Sequence, residues 1–213
     1  MSRKVLLGAV LVLCSAMVPV LAQTAPGGAG ETAPIAPPAT GRGRASPHET
    51  VSGVISGQGD DAKRIIITYG RPNESLRGGP VRKIWGGLVP YGTIWRMGAD
   101  ESTTVITQTD LQFGDVTLPA GACSMYLLPV ENGTSMLIFN KKVGQWGING
   151  QQVAYPDTMK ETEIGRVALK KDTLTTDVPQ FTIVITPKQG GGGGTLKAFW
   201  EKTMYSVDYV VKK

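Results

Sequence analysis

From Ser46 to the last residue, almost every segment alternates apolar and polar positions with a period of two. Phe181, Ile183 and Ile185 alternate with Thr182, Val184 and Thr186, and Val167 and Leu169 with Arg166, Ala168 and Lys170. Further on, Leu196, Ala198 and Trp200 alternate with Lys197, Phe199 and Glu201, and Tyr205, Val207, Tyr209 and Val211 with Met204, Ser206, Asp208 and Val210. Side chains on an extended chain point to opposite faces in turn, so each segment predicts a half-buried strand. Ile65-Ile66-Ile67 is continuously apolar and β-branched, which predicts a strand covered on both faces.

The turns agree. Gly114-Asp115 separates Leu111–Phe113 from Val116–Leu118 as the two-residue loop of a hairpin, and Asn132-Gly133 separates Met125–Val130 from Ser135–Phe139. Gly190 to Gly194 links the final strands, and only Tyr155 to Ile164 is polar and unbranched enough for a short helix. About ten short strands without βα alternation predict an all-β fold, an antiparallel, jelly-roll-like β-sandwich.

Three segments emerge from composition. Residues 1–22 read as a signal peptide: Arg3 and Lys4, an apolar run from Val5 to Val20, then Val20-Leu21-Ala22 before Gln23. The run is short for a membrane span of about 20 residues, so export to the periplasm or beyond is expected, with no span after cleavage. Residues 23–45, rich in Ala, Pro, Gly and Thr, read as a disordered tether. Residues 46–213 make one domain with a substantial core.

Cleavage would remove Cys14 and leave Cys123 alone, so no internal disulfide is expected and Cys123 reads as a small buried hydrophobe. Formal net charge is +5, and without Arg3 and Lys4 it is 20 basic against 17 acidic residues. That weak, dispersed excess does not predict nucleic-acid binding.

Candidate chemistry concentrates in Lys83–Thr104, KIWGGLVPYGTIWRMGADESTT, which has neither strand nor helix period over most of its length. An ordered loop rich in aromatic and charged residues is where recognition is expected. The single histidine, His48, stands beside Glu49; it suits a general base, or simply a turn into the first strand. One histidine excludes a multi-His zinc site, and Asp60-Asp61 is too sparse for calcium, so no metal and no cofactor are predicted. Asp100 and Glu101, if extended, point to opposite faces and cannot flank one bond as a glycosidase pair does. One of them is expected instead to pair with Arg96 or Arg71 and lock the loop. Neither a Gly-x-Ser-x-Gly elbow nor a phosphate loop is present.

Several of these stretches occur together in one bacterial family: Ser46-Pro47-His48-Glu49-Thr50-Val51-Ser52, Ile67-Thr68-Tyr69-Gly70-Arg71-Pro72, Lys83-Ile84-Trp85-Gly86-Gly87-Leu88-Val89-Pro90-Tyr91-Gly92 and Trp95-Arg96-x-Gly98-Ala99-Asp100-Glu101-x-Thr103. With Leu118-Pro119-Ala120-Gly121, Phe139-Asn140-Lys141 and Gln145-Trp146-Gly147, the chain from Ser46 onward resembles the DUF2911 family of exported proteins of unknown function. The resemblance implies a β-rich envelope or secreted protein without an assigned activity. An aromatic usually stands in that family where this chain has Cys123, which argues further against a thiol role.

The leading expectation is a non-catalytic binding module for a small polar or glycan-like ligand. Trp85, Tyr91, Trp95 and Trp146 would stack; Arg71 and Arg96 would donate to ligand oxygens, Asp100 or Glu101 would accept, and Tyr69 would complete the site. The alternative is a hydrolase using Asp100 or Glu101 with His48 or Glu49, which requires the first strand to meet the Trp95–Glu101 segment within hydrogen-bond reach. A third reading is structural: the tryptophans plug one end of the sandwich and bind nothing. No feature of the sequence specifies an oligomeric state.

Overall fold

A computed structural model describes residues 46–145, 155 and 157–212. The proposed signal peptide, the proposed tether and Trp146 lie outside the described residues. Among the described residues ten strands run in chain order: β1 (His48–Ser56), β2 (Lys63–Gly70), β3 (Thr103–Thr107), β4 (Leu111–Phe113), β5 (Val116–Leu118), β6 (Gly121–Leu128), β7 (Met136–Asn140), β8 (Glu163–Ala168), β9 (Lys170–Pro187) and β10 (Gly193–Val211). One turn of helix, α1 (Asp157–Lys160), falls inside the segment where the sequence predicts one.

The strands form two sheets, a six-stranded one in the order β1-β2-β3-β6-β7-β8 and a four-stranded one in the order β5-β4-β10-β9. Every pairing is antiparallel. The chain therefore meanders through the larger sheet and sends the β4–β5 hairpin across to the smaller one. Gly114 takes φ 53° in that hairpin, the left-handed turn geometry the Gly-Asp pair predicts.

The alternating pattern sets the core. On β2, Ile65, Ile67 and Tyr69 are buried, whereas Ile66 is half-buried. The prediction of a strand covered on both faces therefore holds fully for one face and in part for the other. The last two predicted strands are one, β10, interrupted by register shifts on either side of Glu201. Glu201 takes φ 49°, and this bulge lets adjacent residues both go inside. Trp200 joins the main core while Phe199 packs in a smaller cluster with Leu174, Val178 and Met204. Cys123 is 3% exposed on β6, and burial pushes its thiol pKa up to about 12, as befits a small core hydrophobe.

Candidate functional site

The long loop between β2 and β3 is held at three places by main-chain and side-chain bonds. Trp95 exchanges two backbone hydrogen bonds with Leu127 on β6 (2.7 and 2.8 Å). The Thr103 hydroxyl donates to the Met97 carbonyl at 2.7 Å, and the Trp95 indole N–H donates to the Gly98 carbonyl at 3.1 Å. The Ala99 N–H donates to the Gly70 carbonyl at 3.2 Å, setting the loop directly on the end of β2. Gly70 is in register with His48. Consequently the two residues after Ala99, Asp100 and Glu101, arrive beside the first residue of β1.

Asp100 adopts φ 64°, a left-handed conformation that aspartate tolerates better than most side chains. The expectation of opposed side chains assumed extended backbone and does not hold here. Instead the ligand-capable atoms of His48, Asp100 and Glu101 all lie within 4.8 Å of one another. His48 Nε2 is 3.0 Å from Glu101 Oε2, with both side chains partly exposed (30% and 38%). Arg96 completes the cluster: burial lowers its pKa from the ordinary value, and the charges of Asp100 and Glu101 oppose that shift.

Glu49 points elsewhere, as the next residue on a strand must. Its Oε2 accepts from Arg71 Nη1 at 2.8 Å and from the Tyr69 hydroxyl at 3.3 Å. Arg71, 3% exposed, also donates to the Phe181 carbonyl (3.1 Å) and the Thr182 hydroxyl (2.9 Å), and the Tyr69 hydroxyl accepts from the Ile183 N–H at 2.9 Å. Burial raises the Tyr69 phenol above its ordinary pKa. Arg71 does form the kind of clasp the sequence suggests, but with Glu49, and it ties β1 to β9 across the sandwich. Neither Tyr69 nor Arg71 presents a face to a ligand.

The three described tryptophans are also inside. Trp85 and Trp95 are each 7% exposed and Trp200 is 1% exposed. Trp95 stacks on Trp200 (centroids 5.5 Å, 25°), while Trp85 meets Trp95, Trp200 and Tyr205 edge-on at 6.1, 6.2 and 5.3 Å. The Trp85 indole N–H donates to the Trp200 carbonyl at 3.3 Å, and the Glu201 carboxylate accepts the Ile84 N–H at 3.1 Å. An aromatic plug of this kind cannot also be an open stacking platform, so the proposed stacking roles of Trp85 and Trp95 are corrected to core packing. Tyr91 is half-buried, with Lys171 Nζ 5.6 Å from its ring centre.

Over this plug lies a cleft of about 200 Å³. Leu76, Leu88 and Trp95 supply apolar wall, while Arg82, Arg96 and Asp100 supply polar groups. Of the eight predicted ligand-binding residues that are described, three thus line it: Trp95, Arg96 and Asp100. Two larger depressions, about 430 Å³ against Gly190–Gly192 and about 500 Å³ beside Asp115 and Arg166, contain none of the predicted residues. The sequence missed Arg82, Leu76 and Leu88 because no local period marks a loop wall. It also missed the convergence at Asp100, for which a small-residue pair followed by aspartate, Gly98-Ala99-Asp100, is the available signal.

The molecule is thus a two-sheet antiparallel β-sandwich with a histidine–carboxylate cluster beside a small cleft. It belongs to the family described as protein of unknown function DUF2911, whose family model matches residues 46–209. No curated protein and no solved structure matches the chain.

Proposed function

We propose that this chain is a non-catalytic binding module, exported by its N-terminal segment, for a small polar ligand seated in the cleft over Trp95. The observation that carries this reading is the cleft's composition: an apolar wall of Leu76 and Leu88 meets Arg96 and Asp100 within one depression. Ligand sites combine an apolar lining with a few converging polar groups in this way. Its size narrows the class. A volume of about 200 Å³ is below the roughly 300 Å³ at which drug-sized sites begin, which favours a monosaccharide-sized or amino-acid-sized molecule over a longer glycan.

Thermal shift against monosaccharides, amino acids and small carboxylic acids tests this. A ligand at 100 times its Kd adds about 2.7 kcal/mol, a rise of several degrees for a domain of this length. Leu88 is 44% exposed, so Leu88→Glu leaves the fold intact and should abolish the shift. A shift that survives Leu88→Glu, or no shift with any of these classes, rejects the reading.

One observation favours a second reading. The 3.0 Å contact between His48 and Glu101 satisfies the geometric requirement set for a hydrolase, an imidazole oriented by a carboxylate. Hydrolysis of chromogenic esters or glycosides that disappears in His48→Ala would establish it.

A further inference from the structure

We propose that His48, Asp100 and Glu101 form a binding site for a single divalent transition-metal ion. The inference does not rest on the cleft's having an organic ligand. Three donors of two chemical kinds, one imidazole nitrogen and two carboxylate oxygens, converge from β1 and from a loop 52 residues further along the chain, all within 4.8 Å of one another. Two ligand atoms held about 2.1 Å from one ion stand roughly 3.0–3.4 Å apart in octahedral or tetrahedral geometry. The His48–Glu101 pair is already at that separation, 3.0 Å. Bringing Asp100 to match requires a side-chain adjustment of the order of 1 Å.

The surroundings select the occupant. Glu49, the other acid near His48, is taken by Arg71 and Tyr69 and contributes no ligand. Three protein donors leave coordination positions open to water or to a ligand, as catalytic-type zinc sites do. The imidazole favours zinc over calcium and magnesium, which take oxygen ligands, and the two carboxylates also admit manganese. The partial exposure of His48 and Glu101 supplies a route from solvent. Arg96 is the opposing term: its positive charge partly neutralises Asp100 and Glu101 and competes with an incoming cation. That competition gives the site a signature a casual surface contact lacks. Removing the guanidinium should tighten metal binding, not weaken it.

The test is calorimetric titration of the purified, tag-free chain with Zn²⁺ and separately with Mn²⁺, repeated in excess Mg²⁺ and Ca²⁺. One equivalent should bind, unaffected by the hard cations, with affinity falling at least about tenfold in both His48→Ala and Glu101→Gln. In Arg96→Gln it should rise. His48→Gln, which keeps the side-chain volume, guards against loss of fold. Absence of saturable binding of either metal up to about 1 mM overturns the proposal. So does binding that is unchanged in His48→Ala and Glu101→Gln.

Discussion

Gly70 and Ala99 lie so close that a methyl group added to Gly70 would stand 2.2 Å from the Ala99 carbonyl oxygen. This contact is what brings the Asp100–Glu101 pair to His48, because the loop sits on β2 at the residue that pairs with His48. Gly70→Ala must therefore lift the loop. We expect a loss of about 1–3 kcal/mol in urea unfolding, the usual cost of overpacking. The His48 ring resonances should also move as Glu101 is drawn away, an effect visible by NMR of the folded protein.

Trp95 behaves as core. Its ring stacks on Trp200 and meets Phe181 at 4.9 Å, with 7% of the residue exposed. Trp95→Ala should cost about 3–5 kcal/mol of stability, whatever the cleft binds. Loss of ligand response in that variant would say nothing about a site, which is why Leu88 is the better probe. A Trp95→Ala protein within about 1 kcal/mol of the parent would contradict the packing described.

Tyr69 tests the tie across the sandwich. Its hydroxyl accepts the buried Ile183 N–H and donates to Glu49. Tyr69→Phe keeps the ring against Phe181 but orphans that amide, so a loss of about 1–3 kcal/mol is expected. Amide exchange at Ile183 should quicken more than at its β9 neighbours. Equal exchange in both proteins would show that the bond contributes nothing.

Glu74 gives a pH dependence with a definite sign. Its carboxyl pKa is raised, first by desolvation, then by the charge of Asp177 and the hydrogen bond to it, and last by Glu201. A folded pKa above the unfolded one means that the protonated form favours the fold. This contribution is complete below the unfolded value of 4.5 and is lost as pH rises through the raised folded value. Glu74→Gln should thus raise the urea midpoint near pH 7 and leave it unchanged near pH 4. The opposite order would mean that Glu74 is held as a carboxylate by a cation.

The strands were readable because period two is a local property, present in β9 and β10 as plain alternation. Gly114-Asp115 and Asn132-Gly133 located their hairpins for the same reason: turn chemistry is written in two or three residues. Burial of Trp85, Trp95 and Arg71 was not readable, since an aromatic in an aperiodic loop packs outward or inward according to what β9 and β10 offer beneath it. The sequence did indicate that Arg71 or Arg96 clasps an acid. Which acid depended on the alternation of His48 and Glu49 on β1, which sends Glu49 to Arg71 and His48 to Glu101. The meeting of Asp100 with Glu101 depended on one left-handed residue, and backbone sign is the property that a pattern of apolar and polar letters does not carry.

β1 is one of the two edge strands of the six-stranded sheet, the other being β8, and His48 is its first residue. Its start is latched by the Arg71 N–H to the Pro47 carbonyl (2.8 Å) and by the Glu49–Arg71 pair. The imidazole can therefore leave the acids by fraying of a few edge residues while both sheets stay folded, since strand ends open at far lower free energy than cores. The fraction of molecules with the end zipped sets how many are competent at any moment, and apparent affinity falls by that fraction. Whatever bridges His48 to the Asp100–Glu101 turn would in turn rivet the edge of the sheet, so occupancy of the cluster and closure of β1 are one equilibrium.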